Sequence, residues 1–390
     1  MLNKLTFLNS RRNIEKLLQI SLLILILFGL SCQPKARKAK NTKIISLETK
    51  IGQMIMVGFR GLTLAASEHI QRDIQEYQIG GVVLYSIDLP SKRKQARNIE
   101  SPQQLHKLNE NLQKMSKIPL FIGIDQEGGR VNRLSPKYGF PKKIPSAQYL
   151  GKLNDLDSTR HYAKQTAQLL KEFGINFNFA PVVDVNINPA CPVIGGIERS
   201  FSSDPAIVTK HAAEVIRANK ELGIYCSLKH FPGHGSAKSD SHLGFTDVSE
   251  TWGENELLPY QQLIEQKAVD IIMTAHVFNK KLDPKYPATL SKKTTHHFLR
   301  EQYKWDGFII SDDMHMGAIS DNFKLEEAIE KALEAGVDML MFSNNSPKFY
   351  DKDIVPKAIR IIQELVKNGI VSEKQINESY DRIMKLKTTF

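Results

Sequence analysis

The chain has 390 residues, 41% apolar and 24% charged, with a formal charge of +11. Those proportions fit a globular protein with a full core. The basicity does not point to nucleic acid: nine Lys/Arg residues against Glu15 place about +8 of it before Ile44, leaving about +3 for everything after.

The N-terminus reads as an export signal. Lys4, Arg11, Arg12 and Lys16 form a positive region, and Leu17–Leu30 is a mostly apolar run, short for a transmembrane span. Cys32 follows Gly29-Leu30-Ser31 directly, an order that resembles a bacterial lipoprotein signal. Residues 1–31 would then be the signal, Cys32 the lipidated residue, 32–46 a basic tether and 47–390 the folded domain. Gly29 departs from that pattern, which usually has Leu at the third position before the cysteine. An exported chain, lipid-anchored to the membrane of the cell envelope, is expected. Cys191 and Cys226 have the option of pairing in an oxidising compartment. Cys226, inside an apolar run, reads better as a buried thiol, and no zinc-type Cys spacing occurs.

From Leu47 onward, short apolar runs alternate with longer amphipathic stretches. Met54–Val57, Val82–Tyr85, Leu120–Ile124, Phe177–Ala180, Tyr225–Leu228, Ile271–Ala275, Phe308–Ile310 and Met339–Phe342 lack alternation, as strands buried on both faces do. Ser158–Phe173, Asp204–Leu222, Glu254–Gln266 and Leu325–Ala335 carry helical spacing. Gly174, Gly223 and Gly336 follow three of them, where a left-handed C-cap is wanted. One or two helices finish the chain after Met339. Eight strands in βα alternation predict a single α/β domain, a TIM-type (β/α)8 barrel. A doubly wound open sheet is the alternative, but no glycine-rich phosphate fingerprint follows the first strand.

A barrel gathers its functional groups where its strands end. Asp125 follows Ile124, Asp184 comes soon after Ala180, Lys229-His230 follows Leu228, His276 follows Ala275, and Ser311-Asp312-Asp313 follows Ile310. One such Asp is commonly a helix cap or loop anchor; five polar strand ends in series indicate a site. The richest stretch is KHFPGHGSAKSDSH, Lys229–His242. It runs from a strand-end pair through a Gly/Pro-rich loop, expected to be mobile, to Asp240-Ser241-His242. In an extended loop, residues i and i+2 share a face. Asp240 is therefore placed to accept from one ring nitrogen of His242 and to favour protonation at the other, giving a proton donor and acceptor near neutral pH. Asp312, projecting from a stiff strand, suits a nucleophile, a metal ligand or a charge stabiliser.

KHFPGHG…DSH closely resembles the signature of family 3 glycoside hydrolases, in the β-N-acetylhexosaminidase branch that releases terminal N-acetylglucosamine. IDQEGGRVNRL, ERSFSSDP and IISDDMHMGAI resemble further blocks of that branch, and the likeness covers most of Leu47 to Lys387. It implies a TIM-like barrel and a retaining two-step mechanism without metal or cofactor. Asp312 would attack the anomeric carbon, and His242, assisted by Asp240, would be the acid/base. Asp125 and Arg133 would bind distal sugar hydroxyls, Lys229 and His230 would hold hydroxyls near the cleaved bond, and Arg199 would assist. Glu127 and Arg130 read better as an ion pair or cap bracing their loop, and Asp313 as a loop anchor. His234, His276 and His315 stay open. IGGIERSF carries two more residues before Arg199 than the family block, so the backbone there must bulge or loop differently.

Other readings compete. His230, His234, Asp240, His242, His276 and Asp312 include enough ligand types for a metal-dependent barrel hydrolase. Against it, the first strand lacks a His-x-His pair and several candidates lie on the glycine-rich loop. A sugar-binding lipoprotein would leave the reactive pair without a task. A phosphorylase, with phosphate in place of water, is the nearest alternative, because the acid/base is a histidine. The implied partners are carbohydrate, such as peptidoglycan fragments or chitooligosaccharides, and a membrane through the anchor. A single-domain barrel fits a monomer.

Overall fold

The eight apolar runs become eight parallel strands in a computed structural model that describes residues 45–91, 95–141, 143–346 and 350–388. The signal, Cys32 and nearly all of the tether lie outside these residues. The strands are β1 (Ile55–Gly58), β2 (Gly81–Leu84), β3 (Phe121–Ile124), β4 (Phe177–Asn178), β5 (Tyr225–Phe231), β6 (Ile271–Thr274), β7 (Phe308–Asp313) and β8 (Met339–Phe342). They pair in sequence order and close into a barrel, β8 returning to β1 with Leu340 beside Ile55. Helices cover the outer face, so both faces of each strand are dry and the sequence shows runs rather than alternation. The described residues from Ser46 onward fall in one compact unit.

The helices follow their local signals. Asp155 caps Leu156–Glu172 by accepting from the amides of Asp157 and Ser158, and Asp204 caps Pro205–Lys220, whose first residue is proline. Gly174, Gly223 and Gly336 have φ of 68°, 77° and 87°, the left-handed conformation that ends a helix without a Cβ penalty. Two helices, Ile354–Lys367 and Glu373–Lys387, finish the barrel. Glu254–Gln266 is shorter as a helix than its spacing suggests: a 3-10 turn over Glu254–Leu257 precedes an α-helix over Leu258–Glu265. Lys292–Gln302 is wound as a π-helix.

The strand ends differ from the apolar runs where function is concerned. β5 continues past Leu228 through Lys229 and His230, and β7 past Ile310 through Asp312 and Asp313. The register of β5 against β6 shifts between Leu228 and Phe231, and that of β7 against β8 between Ile310 and Asp313. Such irregularities re-aim side chains while the strand stays anchored. β4 is shorter than its apolar run; after Asn178 the chain leaves the ladder, and Val182 pairs with Lys229 as an isolated bridge.

A second, smaller core lies on the rim, formed by Val182, Cys191, Val193, Ile194, Ala237, Val248, Ala275, Val277 and Ala288. It decides between the two readings of the cysteines and corrects the expected mobility of the loop. Cys191 is buried there, whereas Cys226 is buried in the main core, and both are free thiols, so they do not pair. The glycine-rich loop is not mobile along its length either, because every residue from Lys229 to Ala237 is buried. Its glycines serve close approach. A Cβ on Gly235 would lie 1.8 Å from the Val185 carbonyl oxygen, and one on Gly233 (φ 126°) would lie 2.6 Å from Glu256 Cβ. Only the following segment, from Lys238 to Phe245, is largely exposed.

Candidate active site

Three groups of side chains meet at the C-terminal mouth of the barrel. The first is an ion network across β3 and β5. Lys229 Nζ lies 2.7 Å from Asp125 Oδ1 and 2.7 Å from Glu127 Oε1. Arg133 donates to the other oxygen of Asp125 at 3.2 Å. Arg199 forks onto Glu127, Nε to Oε2 at 2.8 Å and Nη2 to Oε1 at 2.7 Å, while its Nη1 donates to the Val193 carbonyl at 2.7 Å. Burial by itself raises the pKa of Asp125 and Glu127, but Lys229, Arg133 and Arg199 around the first, and Arg199 and Lys229 around the second, reverse this. Both carboxyls stay below their ordinary values and ionised. Three cations and two carboxylates thus line one wall, with planar forks able to register sugar hydroxyls.

The second group positions His230. Asp184, fully buried after β4, accepts from the amides of His230 at 3.2 Å and His234 at 2.8 Å, and lies 2.7 Å from His230 Nδ1. That contact fixes the ring and turns Nε2 outward, 3.3 Å from Arg199 Nη2. The Lys229–His230 and Phe231–Pro232 bonds are both cis.

The third group contains the reactive candidates. Asp312 Oδ1 accepts the amide of Asp313 at 2.7 Å. Its carboxyl is raised by burial, yet His276, His230 and His242 pull it below the ordinary range, so it is ionised. His276 Nε2 donates to the Asp313 carbonyl at 2.9 Å and bolts the base of this turn. Asp313 accepts from the amides of His315 at 3.0 Å and Ser343 at 2.7 Å and from the Ser343 hydroxyl, which makes it an anchor. On the rim, Asp240 Oδ1 lies 2.7 Å from His242 Nδ1 and accepts the His242 amide at 2.8 Å. Partial enclosure disfavours the charged imidazole, but the bond to Asp240 and the charge of Asp312 outweigh it, and the pKa of His242 is raised. The side chain is 60% exposed, with Nε2 directed away from Asp240. An ionised carboxylate on a strand and a proton-bearing imidazole on a short segment above it can act on opposite ends of one polar bond.

Residues 46–386 match the glycosyl hydrolase family 3 N-terminal domain. The chain belongs to glycosyl hydrolase family 3. A relative named Beta-hexosaminidase A, from Pseudoalteromonas piscicida, is 31% identical over 373 residues, covering 87% of this chain and 60% of that protein. Beta-hexosaminidase LpqI of Mycobacterium tuberculosis is 30% identical, with 88% of this chain and 83% of that one covered. Among solved structures, a family 3 β-N-acetylglucosaminidase from Paenibacillus sp. str. FPU-7 superposes with a TM-score of 0.79 at 34% identity, over 88% of this chain and 62% of that one. The chain therefore spans about three-fifths of two of these relatives.

All the family 3 candidates named from the sequence lie around this mouth; Cys32, the lipidation candidate, is outside the described residues. Their partners differ from expectation in one respect. Glu127 pairs with Arg199 and Lys229, and Arg130 is exposed, so the brace runs between loops rather than within one. The two extra residues before Arg199 are taken up by a 3-10 turn, Gly195–Ile197, and by Glu198 at φ 63°, which returns the Arg199 amide to the Ile194 carbonyl at 3.0 Å. His234 faces Ser241 at 3.0 Å, and burial lowers its pKa to about 4, so it holds the rim segment as a neutral ring. Among the described residues, no three His, Cys, Asp or Glu side chains converge as a metal site. The apolar-run pattern did not single out Tyr85. It directly follows β2, with its ring 5.7 Å beneath the Arg133 guanidinium, and burial and the charges of Asp125, Asp313 and Asp312 push its phenol well up, so it stays a neutral donor. The available signal was its place as the first hydroxyl-bearing residue after Val82, Val83 and Leu84.

Proposed function

We propose that this chain is an exo-acting, retaining β-N-acetylglucosaminidase that removes terminal β-linked N-acetylglucosamine from glycans such as peptidoglycan fragments or chitooligosaccharides. The observation that carries the reading is the pairing of an ionised Asp312 with a His242 whose Nδ1 is held by Asp240. In the first step, an Asp312 oxygen attacks the anomeric carbon as the glycosidic C–O bond breaks, and His242 Nε2 passes its proton to the departing oxygen. In the second, neutral His242 takes a proton from water, whose oxygen attacks the same carbon and releases Asp312 as a carboxylate. Asp240 supports the imidazolium in step one and keeps the tautomer correct in step two. Asp125, Arg133, Lys229, His230 and Arg199 hold the sugar. The relatives' names, which specify hexosaminidase or N-acetylglucosaminidase, support the sugar assignment. The positive region, apolar run and Cys32 support export and lipid attachment to the cell envelope.

The test is release of nitrophenol from an aryl β-N-acetylglucosaminide by the full-length chain, with and without phosphate and chelator. Turnover indifferent to both, lost by at least about 1,000-fold in Asp312→Ala, is the expected result. Phosphate-dependent formation of a sugar phosphate would make it a phosphorylase, chelator sensitivity a metal-dependent hydrolase, and an active Asp312→Ala would remove the nucleophile.

A further inference from the structure

The rim beside His242 carries apolar side chains that the chemistry of the pocket leaves unused. Leu243, next to the acid/base, is 79% exposed, and Phe245 is 49% exposed. Phe245 is not loose. Its ring meets Phe278 with centroids 4.8 Å apart at 42°. Phe245 immediately precedes, and Phe278 belongs to, a two-stranded parallel ribbon, Thr246 beside Val277 and Asp247 beside Phe278, and the Val248 amide donates to the Phe278 carbonyl at 2.8 Å. Thr246 and Val277 in this ribbon, and Val248 after it, are buried. On one side, three residues, Leu243 to Phe245, separate the ribbon from His242. On the other, it starts directly after His276, which holds the turn of Asp312 and Asp313. The carbonyls of Ser241 and His242 accept the amides of Ala318 and Gly317 at 3.2 and 3.3 Å, so the segment is tied to the nucleophile's own loop.

A solvent-facing apolar ridge on a rigid support at the edge of a charged pocket marks a place where a ligand is seated. The acid/base settles which part of the ligand. Its Nε2 must reach the glycosidic oxygen, so the sugar held by Asp125, Arg133 and Lys229 lies inward of His242 and the leaving group lies outward, where Leu243, Phe245 and Phe278 begin. A pyranose ring presents a face of C–H bonds that an aromatic ring covers well, while its hydroxyls remain in water. We propose that Phe245, supported by Phe278 and flanked by Leu243, forms a leaving-group subsite that takes a pyranoside ring as aglycone. This rests on the glycosidase reading above. It makes the enzyme select glycans over simple alkyl glycosides through energy drawn from a part of the substrate remote from the reacting carbon.

The experiment compares kcat/KM of the full-length chain for N,N′-diacetylchitobiose, whose leaving group is a pyranose, with that for methyl β-N-acetylglucosaminide, whose leaving group has no ring and equally needs a proton. In Phe245→Ala the chitobiose value should fall about ten-fold more than the methyl value, and Leu243→Ala should move the ratio in the same direction by less. Phe245→Tyr, which keeps the ring, should restore the ratio. Equal loss on both substrates would mean that Phe245 serves only to seat His242, and would overturn the proposal. So would an unchanged ratio, or variants that instead lose binding to phospholipid vesicles or dissociate from dimer to monomer, which would reassign the ridge to a lipid surface or a second copy. A wild type that cleaves neither glycoside would bring down the glycosidase reading itself, an outcome distinct from two active substrates with an insensitive ratio.

Discussion

The two reactive groups are tuned in opposite directions, and this sets the pH dependence. Asp312 is held below the ordinary carboxylate range, so the acidic limb of kcat/KM, where the nucleophile becomes protonated, should lie below that range. His242 is held above the ordinary imidazole value of about 6.5, so the basic limb, where the proton donor is lost, should lie above it. In Asp240→Asn the acceptor shape remains but the charge goes. The basic limb should then move to lower pH with the acidic limb fixed, as measured on an aryl glycoside between about pH 3 and 9; an unmoved basic limb would mean that Asp240 does not act on His242 through its charge. A second prediction concerns Glu127. It is the shared carboxylate between Arg199 and Lys229 and is almost wholly buried. Glu127→Gln leaves two buried cations facing one another with less compensation, and should cost about 3–5 kcal/mol in urea unfolding. A loss under 1 kcal/mol would show that solvent reaches this wall.

At the scale of elements, the strand-loop junction after β5 depends on close packing. Gly235 sits with its α-carbon against the Val185 carbonyl, and its amide donates to Glu256 Oε2 at 3.0 Å, a buried carboxyl that burial pushes up to about 8. Gly235→Ala should therefore destabilise the chain by about 1–3 kcal/mol and lower kcat through displacement of the rim, both read on one purified variant by thermal unfolding and activity. A fully stable, fully active variant would show that the loop yields freely. The strands themselves were legible because a barrel strand dry on both faces must be an unbroken apolar run, and the helix ends were legible because Gly174, Gly223 and Gly336 stand where a left-handed residue is needed. The runs do not show that β5 and β7 carry their ladders on through Lys229, His230, Asp312 and Asp313, because polar strand ends look like loops. Nor do they show the satellite core, whose members are scattered from Val182 to Ala288. That core turns a glycine-rich stretch that reads as mobile into a fixed platform. Tyr85 and the Glu127–Arg199 pair come together only through tertiary placement, since no local spacing links positions 127 and 199.

Across the whole molecule, the two ends of the barrel handle charge in opposite ways. The C-terminal mouth gathers cations and carboxylates in near balance. The N-terminal end is closed by rings, with Phe121 stacked on Phe308 at 6.0 Å and packed against Phe177 at 5.5 Å. Lys387 enters this end from the last helix. Lys387 is buried, with Nζ 4.9 Å from the Phe121 centroid, and it donates to Gln53 Oε1 at 2.8 Å and to the Gly80 carbonyl at 2.6 Å, both neutral acceptors. Burial therefore lowers its pKa far below the ordinary lysine value. Between the folded and unfolded pKa values the unfolded chain binds a proton that the folded chain does not, so this lysine's contribution to stability rises with pH and is lost as pH falls. Lys387→Met keeps the length and the apolar stem while removing the titration. The stability of the variant relative to wild type should therefore be greater at pH 7 than at pH 9.5, the gap changing by about 1.4 kcal/mol per pH unit across the part of that window above the folded pKa. Urea midpoints of both chains at the two pH values measure it. A gap that does not change with pH would mean that Lys387 keeps its proton in the fold, held by the two carbonyl oxygens and the face of Phe121, and the closed end of the barrel would then carry a buried charge of its own.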